Sequence, residues 1–163
     1  MNPFGERLSY KKTVDASPDD VEKVVVDLLG RSTHSVDYST GLWADFYRRP
    51  NVANAFAKAA ETTATFRLLL DSDVDVQGAK ADAALDWVFK LRDAGKIEVR
   101  KSADRIQHRI IIDNRDFRLE SPSTTPGLFS NFVLKNADES VKDYTIEIIE
   151  GFNEDWEDSE PVS

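Results

Sequence analysis

The chain of 163 residues has no cysteine, two histidines and one methionine, and its longest apolar runs, such as Val24-Val25-Val26 and Ile110-Ile111-Ile112, are only a few residues long. Without cysteine there is no disulfide scaffold, zinc ribbon, iron-sulfur cluster or thiol nucleophile. His34 and His108 are too few for a metal site built on several imidazoles from one chain. No run is long enough to span a bilayer, and Met1-Asn2-Pro3-Phe4-Gly5 is no signal peptide, so a cytoplasmic protein without membrane contact is expected. A glycine-rich phosphate loop, a zincin motif and a Gly-x-Ser-x-Gly elbow are all missing, and no cofactor is expected. The length suits one domain with a real core, since a chain of this size buries roughly 70% of the surface exposed when it is unfolded.

What is present is acid. Thirty acids against 21 Lys and Arg give a formal charge of −9, and 19 of the acids are aspartates. Such a surplus suits ordinary solubility or a host with high internal salt, where surface carboxylates are hydrated and screened. Taken whole, it argues against generic affinity for nucleic acid or anionic lipid.

Along the chain, residues 1–16 read as an N-terminal arm or edge strand. Ser17 caps a helix that begins at Pro18 and places Val21, Val24, Val25, Leu28 and Leu29 on one face before Gly30. Ser35–Ser39 alternates like a short strand, and helices are expected within 42–47 and after Pro50. Phe66 to Leu70 reads as a buried strand ending on Asp71. A helix carrying Ala81, Ala84, Leu85, Val88, Phe89 and Leu91 follows, then strands at 96–100, 105–113 and 117–120. Segment 121–127 reads as a loop, and a last helix carries Tyr144, Ile148, Phe152 and Trp156 before an acidic tail, 157–163, expected to be disordered. This order predicts a single-domain α/β sandwich over 17–156, with a mixed, partly parallel sheet flanked by helices.

Asp71, Asp73 and Asp75 begin like a calcium loop, but position six is Val76 and no glutamate stands at position twelve, so no metal site is expected. Trp43, Phe46 and Tyr47 suit a buried helix face better than a stacking platform for single-stranded nucleic acid.

The segment Ile106-Gln107-His108-Arg109-Ile110-Ile111-Ile112-Asp113, preceded by a helix, Gly95 and a short strand, is more specific. With Phe66–Asp71 and the helix from Tyr144 through Trp156, it resembles the phospholipase D-like, or HKD, superfamily over roughly residues 50 to 160. That family carries His-x-Lys-x-x-x-x-Asp on a strand, so the resemblance implies His108 as the catalytic candidate and a phosphodiesterase-type reaction. The triplet is degenerate: with His108 as the histidine, Ile110 takes the lysine position and Arg115 the aspartate position. With Asp113 aligned instead, the histidine position falls on Ile106 and His108 stands where lysine belongs. Loss of the lysine removes charge stabilisation that phosphoryl transfer needs. Ser130-Asn131 follows the motif strand as a Ser/Asn pair does in the family.

Between Lys90 and Arg118 lie nine bases and five acids, a local +4 within a chain of −9. Arg105, Gln107 and Arg109 would alternate onto one strand face, and guanidinium forks suit phosphate. The ligand-binding candidates are therefore Arg105, Arg109, Lys101, Asp71, Ser130 and Asn131, with a phosphate-bearing ligand or nucleic acid contacting residues 90–118. Pairing of these bases with neighbouring acids is the competing reading. The expected function is a non-catalytic phospholipase D-like domain acting as a phosphate-ligand-binding or regulatory interaction module. The alternatives are a dimeric phosphodiesterase or nuclease using His108 from each of two subunits, and a ligand-sensing partner of a transcription regulator. A homodimer or a partner protein is expected in each case.

Overall fold

The computed structural model describes residues 14–122, 128–134 and 142–163. Helix α1 (Pro18–Gly30) starts where Ser17 Oγ accepts the Asp20 amide at 3.2 Å, with Pro18 in the first turn and Asp19 and Asp20 at the positive end of the dipole. Its buried stripe is Val21, Val25, Leu28 and Leu29. The chain then enters β2 (Ser35–Thr40), passes a short helix α2 (Ala44–Tyr47) and a longer α3 (Pro50–Thr62), and returns through β3 (Thr65–Leu70). Helices α4 (Val76–Ala81) and α5 (Asp86–Asp93) lead to β4 (Glu98–Lys101). Strands β5 (His108–Ile112), β6 (Asp116–Pro122) and β7 (Phe129–Leu134) form a meander, α6 (Lys142–Glu157) follows, and β1 (Val14–Ala16) and β8 (Glu160–Pro161) are the edges.

The eight strands lie in the order β1-β7-β6-β5-β2-β3-β4-β8. Parallel pairing links β2 to β3 and β3 to β4, while β5 runs antiparallel to β2 and the meander continues antiparallel. The mixed sheet is thus the one the element order called for. One face carries Val36, Tyr38, Leu68, Leu70, Ile110 and Ile112 under α1, α3 and α5. The other carries Leu69, Ile111, Phe117, Leu119 and Phe132 under Ile148, Phe152 and Trp156 of α6. Successive residues of a strand point to opposite faces, so an apolar run such as Ile110–Ile112 serves both layers. No helix among the described residues is long and apolar enough to cross a membrane.

Four elements differ from the sequence reading. The helix expected through Ala81–Leu91 is broken at Asp82–Leu85, where the Asp82 carboxylate accepts the Ala84 amide at 2.8 Å and offers the backbone a turn in place of the helix. The strand expected from Arg105 begins only at His108, because Ser39 Oγ donates to the Gln107 carbonyl and accepts the Arg109 amide, both at 2.7 Å, at the point where the ladder would continue. Strand β7 was not anticipated. Residues 157–163 are not a disordered tail: Glu160–Pro161 pair with Lys101 and Arg100, the Val162 amide donates to the Val99 carbonyl at 3.1 Å, and Arg100 donates to the Trp156 and Ser159 carbonyls. Neutral main-chain carbonyls, which a charge count does not register, hold the acidic end to the sheet edge.

Candidate functional site

The topology brings the C-terminal ends of the parallel strands β2 and β3 together with the start of β5 and the end of β6, the edge at which open α/β sheets hold ligands. Asp71 directly follows β3, is 2% exposed, and its amide donates to the Thr40 carbonyl at 2.9 Å. His108 opens β5 opposite Glu120 of β6. The imidazole lies between two carboxylates: Nε2 is 2.9 Å from Asp71 Oδ2, and Nδ1 is 2.9 Å from Glu120 Oε2. Burial disfavours the imidazolium, but the hydrogen bonds and charges of Glu120 and Asp71 outweigh it, and the His108 pKa is raised above 6.5. Burial likewise works against the Glu120 carboxylate, yet His108 and Arg118 hold its pKa below 4.5.

Both carboxylates are placed to accept from the ring, an arrangement that favours the doubly protonated imidazolium. A nucleophilic histidine needs a lone pair on the nitrogen facing phosphorus. Here Nε2 is already engaged by Asp71 Oδ2 at 2.9 Å. Ile110, at the lysine position of the first motif register, is buried in the core. Asp113, at the aspartate position of the second, lies in the β5–β6 turn with φ 55° and accepts the amides of Thr33, His34 and Ser35 and the Thr33 hydroxyl. Its pKa is lowered although burial alone would raise it, because these four donors favour the anion.

Beside His108 a cavity of about 330 Å³ opens between α1, the loop after β2 and the face of β6. Val21, Val25, Phe46 and Trp43 form apolar walls, and Tyr38, Thr40, Tyr47, His108, Arg118 and Glu120 supply the polar ones. Thr40 Oγ1 donates to the Tyr47 hydroxyl at 2.8 Å, and the Tyr38 and Tyr47 hydroxyls are 2.9 Å apart. Burial raises the Tyr38 pKa and pushes that of Tyr47 up to about 12, so both stay protonated. The loop at the rim is held by the Leu42 amide donating to Thr40 Oγ1 at 3.0 Å, with Leu42 in the left-handed region at φ 52°. Arg118, 5% exposed, faces Glu120 Oε1 at 3.7 Å, and its buried Nε and Nη2 find no closer hydrogen-bond acceptor among the described residues. The Asn131 amide, at the β7 position registered with Glu120, likewise finds no partner for Oδ1 or Nδ2 among the described residues.

The residues singled out from the sequence fall in three places. Asp71 and His108 meet directly, and Asn131 stands on the same sheet face as Glu120. Arg105 lies outside the cavity, 3.6 Å from Asp71 Oδ1 and 2.7 Å from Asp73 Oδ2. Arg109 points to the opposite face, where it pairs with Asp155 of α6 at 2.7 Å. Lys101 ends β4 in register with Glu160. Ser130 takes a β7 position opposite Ser121 and Asp15, its side chain outside the described residues. Arg105 and Arg109 therefore do not form one phosphate-facing stripe. Of the nine bases in the local +4, Lys90, Arg92, Arg105, Arg109, Arg115 and Arg118 lie near acids, and Arg100 holds main-chain carbonyls. The sequence reading missed Arg118, Glu120, Tyr38 and Thr40. A signal existed in Asp116-Phe117-Arg118-Leu119-Glu120, where strict alternation puts three charges on one face of a central strand.

No protein-family model matches the chain, and no curated protein sequence does. Solved structures do match. TrmBL2, an archaeal chromatin protein, aligns with TM-score 0.69 and 16% identity over 93% of this chain and 54% of its own. Nuc, a phospholipase D family member from Salmonella typhimurium, aligns with TM-score 0.67 and 13% identity over 93% of this chain and 96% of its own. NucT from Helicobacter pylori aligns with TM-score 0.60 and 11% identity over 89% of this chain and 92% of its own. The chain spans about half of the chromatin protein but nearly all of Nuc and NucT, and with the parallel β2-β3-β4 core and the His108 edge in place it has the phospholipase D-like fold.

Proposed function

We propose that this chain is a non-catalytic phospholipase D-like module that binds a small anion-bearing ligand and works by interaction with a partner chain. The observation that carries the reading is the double engagement of His108: both ring nitrogens lie 2.9 Å from carboxylate oxygens, an arrangement that favours the imidazolium and opposes attack on phosphorus. The cavity beside it, with apolar walls and polar groups on Tyr38, Thr40, Tyr47, Arg118 and Glu120, has the character of a binding pocket. Similarity to about half of a DNA-binding chromatin protein supports a regulatory setting in which DNA contact belongs to another segment or chain. Direct binding of nucleic acid by residues 90–118 is not favoured, because most bases there are already paired. The dimeric phosphodiesterase alternative requires His108 to surrender Asp71.

The test is hydrolysis of bis(p-nitrophenyl) phosphate and of DNA without added metal. The wild type and His108→Ala are expected to match the blank. Turnover by the wild type that disappears in His108→Ala would establish a catalytic histidine and overturn the proposal.

A further inference from the structure

The charged groups on and behind the wall of the cavity under α1 answer one another. His108 lies 2.9 Å from both Asp71 and Glu120, and Arg118 faces Glu120 at 3.7 Å. Arg105 lies 2.7 Å from Asp73 and 3.6 Å from Asp71, and near the rim Arg48 pairs with Asp45 at 3.4 Å. The three cations His108, Arg105 and Arg118 thus meet the three carboxylates Asp71, Asp73 and Glu120, and no net charge is left for a buried ion to neutralise. A carboxylate, phosphate or ammonium group taken into the cavity would stand unanswered against Val21, Val25 and Phe46.

The neutral polar groups are not balanced in the same way. Thr40 Oγ1 donates to the Tyr47 hydroxyl, and the Tyr47 and Tyr38 hydroxyls share one further hydrogen bond. Three hydroxyl hydrogens therefore serve two contacts, and one finds no acceptor among the described residues, on three side chains that all line the cavity. A buried hydroxyl hydrogen without an acceptor is costly. The rim carries the second feature: Trp43 is 48% exposed, and among the described residues only Ile146 is another large apolar side chain so uncovered. An indole beside an open apolar cavity offers a flat face to a ring.

We infer that this cavity receives a small uncharged aromatic group bearing one hydrogen-bond acceptor, such as an aryl ketone or ester, with its ring between Val21, Val25 and Phe46 and its outer edge against Trp43. The acceptor takes the spare hydroxyl hydrogen of the Thr40, Tyr47 and Tyr38 chain. The volume of about 330 Å³ lies at the small end of ligand pockets and suits a ring with a short substituent. The inference rests on the proposal that this is a binding module, and it names the part of the ligand that enters: any anionic group stays at the mouth, in water.

Three probes of nearly one shape separate the terms: acetophenone, its isostere without the acceptor, α-methylstyrene, and the anion benzoate. Each is titrated to millimolar concentration at pH 7 against the proton–nitrogen NMR spectrum and the thermal midpoint. Acetophenone is expected to saturate, raise the midpoint and shift the Trp43 indole N–H, while that of Trp156, packed on the opposite sheet face, stays in place. It should bind about threefold to tenfold more tightly than α-methylstyrene, the range of one neutral hydrogen bond, and at least about tenfold more tightly than benzoate. Val21→Phe, which fills the cavity, and Trp43→Ala, an exposed change that leaves the core intact, should each weaken acetophenone. Failure of acetophenone to saturate, equal or tighter binding of α-methylstyrene or benzoate, or affinity unchanged in Trp43→Ala would each overturn the assignment. Phosphodiester turnover in the same preparation separates the two proposals: turnover with intact acetophenone binding removes the non-catalytic reading and keeps the site, and neither turnover nor acetophenone binding removes the site alone.

Discussion

Replacing Arg118 by methionine asks whether this guanidinium serves the fold or the ligand. Removing one member of a buried ion pair ordinarily costs about 3–5 kcal/mol, because the other charge is left buried and alone. Glu120 is not left alone, since its Oε2 remains 2.9 Å from His108 Nδ1, whereas Arg118 stands 3.7 Å from Oε1. Against the lost attraction stands the removal of two buried donors, Nε and Nη2, that have no acceptor among the described residues, at about 1–3 kcal/mol for such a buried group. Methionine matches the length of the arginine stem and suits the neighbouring Tyr38 and Ile110. Arg118→Met should therefore keep stability within about 1 kcal/mol of wild type or raise it, and each 1 kcal/mol moves the midpoint about 2–4 °C in a domain of this size. Thermal and urea unfolding of the unliganded protein measure this. In a His108→Gln background Glu120 loses both cations, and the same change should then cost about 3–5 kcal/mol. A loss of that size in the single variant would refute the reasoning, for it would show that Arg118 is the structural partner of Glu120.

Three further outcomes follow from the geometry. The His108 pKa is raised above 6.5, so the stability contributed by the imidazolium is complete below pH 6.5 and is lost as pH rises through the folded-state value; denaturant midpoints should fall over that window in wild type and stay flatter in His108→Gln. The Asp113 pKa is lowered below 3.8, so its contribution is present above that pH and is lost as pH falls through the folded-state value; Asp113→Asn, which tolerates the left-handed backbone, should cost about 1–2 kcal/mol at neutral pH and little in acid, read by urea unfolding at both. A chain ending at Ser159 loses β8 and the half-buried Val162, which should cost about 1 kcal/mol and speed amide exchange at Val99 and Lys101.

Much of the architecture was legible because periodicity and caps act locally. Ser17-Pro18-Asp19-Asp20 announces α1, and Phe66–Leu70 is too apolar to be anything but a central strand. The parallel core followed from the alternation of strands and helices. Where the reading failed, a side chain competed with the backbone, as Asp82 and Ser39 do, or neutral carbonyls captured a charged segment, as with Arg100 and the tail. The candidate site was half legible. His108 and Asp71 could be named, but 37 positions separate them, and only the β3–β2–β5 order shows that they touch. Arg118 was one of nine bases in a charge count that ended there, and Glu120 lay just beyond it. The count carried no facing information: Arg109 and Arg118, both positive, lie on opposite sides of the same sheet.

The central claim is that His108 is a cation held by two carboxylates and not a nucleophile. Nitrogen-15 NMR of the His108 ring tests it most directly. At pH 6, below the unperturbed value, the account predicts two ring N–H groups, both slowed in exchange, and the cationic signature should persist above pH 6.5 and retreat to lower pH in Asp71→Asn. A neutral ring at pH 6, with one nitrogen unprotonated and free to attack, would contradict the account.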